Sequence, residues 1–148
     1  MPTLTERIET DYKQALKAGQ RLRVDTLRLI KAAMQRVAME RRKDTLDDPE
    51  IVQVLANQVK QRRETLESAQ KSGRMDVVNQ TNEELAIVES YLPPRLSPDA
   101  VKPLIEEAFK AVGPNQGQIM KHVMGRVQGQ VDGQVVARLV AERLKAGA

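Results

Sequence analysis

From Leu4 to Leu144, apolar side chains in this chain return at intervals of three and four. Nowhere do they alternate between tight turns. The first spacing buries one face of an α-helix, whereas a half-buried strand needs alternation, so an all-α fold is expected. Helix punctuation sets the segments. Thr3 and Glu6 form a T-x-x-E box that starts a helix near Leu4. Leu4, Ile8, Tyr12, Ala15 and Leu16 form its apolar face, and Gly19 ends it. A second helix runs from about Val24 to Arg42 on the stripe Leu27, Ile30, Met34, Val37. Arg41, Arg42 and Lys43 close it with charge that suits a helix C-terminus. Asp48 is expected to cap the third helix, with Pro49 at its first position and Lys71 near its end. Gly73 breaks that helix. A fourth begins around Asp76 and buries Val78, Thr81, Leu85, Val88 and Leu92. The third and fourth helices, separated by a few residues, should form the tightest hairpin.

The stretch Tyr91–Pro98, YLPPRLSP, is the clearest boundary. Pro93 and Pro94 cannot continue a helix, and each forces extended geometry on the residue before it. Ser97 with Pro98 then caps a fresh helix that buries Val101, Leu104, Ile105, Ala108 and Val112. Pro103 inside it predicts a kink or a late start. Gly113 and Pro114 stop it, and Asn115 can cap a sixth helix. Within Gln116–Val140, Ile119, Met120, Val123, Met124 and Val127 mark that helix; Val135, Val136, Leu139 and Val140 mark a seventh. Between them Gly129 and Gly133 punctuate a turn, where glycine frees the backbone and allows close approach. Asp132 is placed to cap the seventh helix with its side chain. The expected architecture is an N-terminal four-helix bundle-like part, 1–92, followed by a small three-helix C-terminal domain, 93–148.

Composition narrows function mainly by exclusion. The chain has 148 residues, no cysteine, one histidine and only 2% aromatics. Thiol and disulfide chemistry are excluded, and His122 lacks partners for a metal cluster. No P-loop, glycine-rich dinucleotide turn or serine motif with a histidine partner is present. The paired carboxylates Asp47/Asp48, Glu83/Glu84 and Glu106/Glu107 are sequence neighbours. On a helix, neighbours point about 100° apart, so these are read as surface charge and not as acid/base pairs. No catalytic residue, metal site or cofactor is therefore expected. The apolar runs are too short to span a bilayer, and the N-terminus lacks a signal-peptide core. No membrane association and a cytoplasmic location are expected. Arg62 interrupts the apolar row of the third helix. Two readings stand: it snorkels or pairs with Glu84 or Glu89, or it serves as an anion-binding arginine with Lys60 and Arg63.

Net charge is +4, unevenly spread. Residues 1–92 hold 16 basic and 15 acidic side chains, and residues 93–148 hold 8 and 5. In the second part Lys121 and Arg126 lie on the sixth helix, and Arg138, Arg143 and Lys145 on the seventh. These five form a candidate nucleic-acid face, with Gly129, Asp132 and Gly133 shaping the turn and cap. The scarcity of aromatics excludes a base-stacking platform, so any RNA contact would use shape and backbone.

The Met-Lys helix, the G-x-x-x-G turn and the D-G-x-x-V start resemble the C-terminal tail of the YqeY family. RLRVDTLRLIKAAM, QVKQRRETLESAQKSGR and YLPPRL extend the resemblance over the whole chain. Family members usually carry a basic residue after that first glycine; Gln130 and then Val131 stand there instead. The tail is similar to the last domain of the B subunit of the glutamine-dependent aminoacyl-tRNA amidotransferase, a carbon–nitrogen ligase with glutamine as amido-N-donor. In that enzyme the chemistry belongs to other domains, and the tail is a tRNA-binding appendage. The resemblance thus implies a non-catalytic, tRNA-associated accessory protein. Two alternatives are a protein–protein adaptor that uses the bundle, and an amidotransferase component active only with a catalytic partner.

Overall fold

A computed structural model of the chain describes residues 2–127 and 130–147. Among the described residues there are seven α-helices and no strand. They are α1 (Leu4–Ala18), α2 (Arg21–Glu40), α3 (Asp48–Lys71), α4 (Met75–Glu89), α5 (Pro98–Val112), α6 (Gln116–Val127) and α7 (Gly133–Lys145). The chain divides into two compact units, Met1–Leu92 and Pro93–Ala148. No helix among the described residues is long and apolar enough to cross a membrane.

The first unit is α1 to α4 around one aliphatic core. Ile8, Leu27, Ile30, Ile51, Leu55 and Val88 are its most enclosed large side chains. The α3–α4 hairpin is its most extensive helix pair, as the short Gly73 connection predicts. Ile51 and Val54 are buried on α3, although the stripe read off the sequence was Val52, Leu55, Val59, Arg62, Leu66, Ala69. Leu16, expected on the apolar face of α1, is instead exposed. Ala15 beside it takes the core-facing position, and Leu16, about 100° further round the helix, points outward.

Caps explain where these helices begin. Thr3 Oγ1 accepts from the Glu6 amide at 3.1 Å, as expected. The cap of α3 is Asp47 and not Asp48: Asp47 Oδ1 accepts from the Glu50 amide, and Glu50 Oε1 accepts from the Asp47 amide. This reciprocal box leaves Asp48 free, and its Oδ1 accepts from the Leu4 amide at 3.0 Å, tying the start of α1 to the start of α3. The second helix opens at Arg21, earlier than Val24. Gln20 alone separates it from Gly19, and no side chain caps it.

Three helices of this unit end alike. The amide one residue beyond a left-handed residue reaches back five positions to a helix carbonyl: Gln20 to Ala15, Lys43 to Ala38, Arg74 to Ala69. Gly19 and Gly73 supply the left-handed conformation at φ 69° and 71°. After α2 the position falls to Arg42, at φ 55°, where a side chain is unfavourable.

Tyr91 closes the unit. Its ring is buried, its hydroxyl donates to Asp11 Oδ2 at 2.5 Å, and the Arg7 guanidinium lies 5.3 Å from the ring centroid. Burial, then the bond to the Asp11 carboxylate, raises the phenol pKa well above its ordinary value.

The second unit is α5, α6 and α7, each packed on the other two. Val101, Ile105, Ala108, Ile119, Val123, Val127, Val136 and Val140 form its core. Ser97 Oγ accepts from the Ala100 amide, so α5 starts at Pro98 and runs through Pro103, which excludes the late start, one of the two outcomes expected there. Asn115 Oδ1 accepts from the Gln118 amide, the cap predicted for α6.

Candidate nucleic-acid interface

The five basic residues picked from the sequence do not form a free cationic face. Arg126 Nη1 lies 2.7 Å from Glu107 Oε2. Arg138 Nε lies 4.0 Å from Glu142 Oε1, one turn along the exposed side of α7. Arg143 is bonded to Glu106, donates to the Gly147 carbonyl, and sits 4.3 Å from the Phe109 ring centroid. That arginine packs α7 onto α5. Lys121 and Lys145 are exposed, and neither has an ion-pair partner among the described residues.

The turn residues also differ from expectation. Gly129 lies outside the described residues. Gly133 needs no left-handed backbone, and a Cβ there would meet only Met124 Cε at an ordinary 3.9 Å, so close helix approach does not require it. Asp132 occupies the N-cap of α7 but makes no side-chain capping bond. Its carboxylate lies 3.2 Å from Arg95 Nη2 instead. A guanidinium is a stronger partner for a carboxylate than a neutral amide is, and Arg95 is in reach because the segment after the prolines lies against the turn. Gln130 holds that segment. Its carbonyl accepts from the Leu96 amide at 2.7 Å, and its Nε2 donates to the Pro94 carbonyl at 3.2 Å. Val131 beside it is buried in the core. The position that usually carries a basic residue in the resembled family thus has a structural task here. Nothing in the local sequence pattern announced it, because its partners lie more than thirty positions away.

Charge accounting locates what remains. The unit contains five carboxylate side chains: Asp99, Glu106, Glu107, Asp132 and Glu142. Each is paired, with Lys102, Arg143, Arg126, Arg95 and Arg138 respectively. Three lysines are left over: Lys110, Lys121 and Lys145, all exposed. Lys110 was missed on sequence, although counting carboxylates against cations in this part would have raised it. Lys110 and Lys145 stand at the end of the unit where α5 stops, α6 begins and α7 stops; Lys121 is on the first half of α6. The surplus therefore lies away from the turn before Gly133. At that turn, Arg95 and Asp132 cancel and Gln130 is neutral. Two of the lysines also sit at helix C-termini, where the backbone dipole favours a cation without neutralising it.

His122 is half-buried and pairs with no carboxylate among the described residues. Among those residues there is no group of three or more His, Asp or Glu placed to hold a metal ion. In the first unit Arg62 is buried, but its partner is not a carboxylate. Its Nη1 donates to Gln58 Oε1 at 2.7 Å, and Glu89 is taken by Arg63 at 2.8 Å. The pairing of Arg62 with Glu84 or Glu89, one of the readings open on sequence, is not found among the described residues, and Glu89 pairs with Arg63.

Taken together, the fold and the residual charge define an all-helical protein with a compact, basic C-terminal unit. A family model described as "Yqey-like protein" matches residues 5–144, and the chain belongs to that family. No curated protein matches the chain.

Proposed function

We propose that this protein is a non-catalytic accessory factor whose C-terminal unit contacts folded tRNA through phosphates. One observation carries the reading: after every carboxylate of that unit is paired, three exposed lysines keep the whole surplus charge. Lysine serves as a flexible point charge toward phosphate and needs no base edge. The likeness of the tail to the amidotransferase B subunit's last domain supplies the tRNA. The two units act as separate domains joined by the Pro93-Pro94 segment, and any ligase chemistry belongs to a partner. The test is a titration of labelled tRNA, and of an RNA duplex of equal length, with the purified chain. Preference for tRNA supports the proposal, and equal affinity contradicts it. In parallel, the chain alone should neither hydrolyse glutamine nor amidate mischarged tRNA.

The ion pairing of Arg126, Arg138 and Arg143 favours a second reading, a protein adaptor that uses the N-terminal bundle. Under it, binding of RNA would be no stronger than three exposed lysines give on any surface.

A further inference from the structure

The second helix has two apolar stripes, and the core uses only one. Val24, Leu27, Ile30 and Ala38 are buried within the first unit. Leu22, Asp25, Leu29, Ala32, Arg36 and Met39 recur at intervals of three and four on the outward side, which is the spacing of a helix-pairing seam. Leu22 is half-buried and the other five are exposed. Four large apolar side chains stand exposed among the described residues, and two of them, Leu29 at 55% and Met39 at 78%, lie on this seam. Its charged members are also unmatched. The ion pairs that α2 makes among the described residues use Arg23 and Lys31, and leave Asp25 and Arg36 without a partner.

We propose that this seam pairs antiparallel with the same seam of a second copy of the chain, as a two-fold contact between first units. The order of its residues selects that occupant. Turned end for end about the midpoint between Ile30 and Lys31, the seam falls on itself. Leu22 then meets Met39 of the second copy, Asp25 meets Arg36, and Leu29 meets Ala32. Each layer is complementary: apolar with apolar, carboxylate with guanidinium, and a large side chain over a small one. A two-fold axis repeats every layer, so the dimer holds two Asp25–Arg36 pairs. Parallel pairing would set Asp25 against Asp25 and Arg36 against Arg36, which like-charge repulsion disfavours. Polar residues within an apolar seam fix register at a cost in strength. A foreign helix would require no such symmetry in α2. One stripe per copy lies at the low end of specific interfaces, under about 1,200 Å² in total, so the contact is weak and depends on concentration. It concerns the first unit only and is independent of the tRNA reading.

The experiment is sedimentation equilibrium of the RNA-free full chain, up to millimolar concentration. Wild type should show a reversible monomer–dimer equilibrium. Asp25→Arg and Arg36→Asp should each weaken it at least about tenfold, because both charged layers then face like charge. Both positions are exposed, so the variants should keep the fold, which their amide spectra check. Two combinations should restore the dimer: the double variant Asp25→Arg/Arg36→Asp, and an equimolar mixture of the two single variants. Leu29→Asp should abolish it. A wild type that stays monomeric, a dimer untouched by the single changes, or no recovery in the double variant and the mixture would overturn the proposal. If a single variant misfolds, Leu29→Asp and the double variant decide.

Discussion

The two units handle charge in opposite ways. The first has nearly balanced charge, 16 basic against 15 acidic side chains, yet it buries an arginine that no carboxylate meets among the described residues. The second has a clear surplus, 8 against 5, yet every carboxylate is matched and the excess stands on exposed lysines. Net charge alone therefore misplaces the sites. Where the opposite charges are, after pairing, decides what a surface can bind. In the first unit the uncompensated group is enclosed, with the neutral Gln58 as its side-chain acceptor. In the second the uncompensated groups are flexible and hydrated, which suits a phosphate backbone.

The comparison breaks first if the units are not independent. A single small core seldom supplies more than about 3–5 kcal/mol, and removing a fully buried large aliphatic side chain costs about 2–5 kcal/mol. Ile119→Ala, at a fully buried position of the second unit, should therefore unfold that unit. Amide spectra should lose the resonances of residues 93–148 while those of the first unit persist. Loss of both sets together would show one cooperative body. Leu27→Ala, the matching change in the first unit, should cost a similar energy without abolishing the second unit's spectrum.

Ser97→Ala removes the cap of α5 and should lower the second unit's stability by about 1 kcal/mol, read from its denaturation midpoint. Arg42→Gly should act in the opposite direction on the first unit. It relieves a left-handed arginine and should raise the first unit's stability by roughly 0.5–1 kcal/mol. A destabilised Arg42→Gly protein would mean that the Arg42 side chain contributes a contact worth more than the backbone strain.

The smallest effect concerns pH. Glu50 is held at a pKa of about 2, first by the Lys43 ammonium, then by the Asp47 amide, then by Arg41. Its folded pKa is below the ordinary carboxylate value of 4.5, so its contribution is present above pH 4.5. It fades as pH falls from there toward 2. Glu50→Gln should flatten that part of the first unit's stability profile and leave the second unit's profile unchanged. A profile for Glu50→Gln that still falls as steeply would assign the acid limb to other carboxylates.

Much of the fold was legible because helices are local. The Thr3, Ser97 and Asn115 caps and the Gly19 and Gly73 stops each depend on residues within one turn, and each stands where the pattern put it. The errors came where two local solutions competed. Asp47 and Asp48 can both cap, and only the long-range bond from Asp48 to Leu4 separates their roles. Asp132 could cap α7, but Arg95, far away in sequence, offers a stronger partner. The site was less legible for the same reason. Arg126 and Arg143 look free on their own helices, and their carboxylates lie on α5. Lys110 looked unremarkable until those pairs were known.

The central claim is that the second unit's binding charge resides on Lys110, Lys121 and Lys145, and not on its arginines. The direct measurement is the salt dependence of tRNA affinity for wild type, for Lys110→Ala/Lys121→Ala/Lys145→Ala, and for Arg126→Ala/Arg138→Ala. With each neutralised phosphate contributing about 0.7–0.9, wild type should show a log–log slope of about −2 to −3. The triple-lysine variant should lose nearly all of that slope and bind every tRNA more weakly. The double-arginine variant should keep it, because those side chains are already neutralised by Glu107 and Glu142. A triple-lysine protein with the wild-type slope, or a double-arginine protein that loses it, would contradict the account.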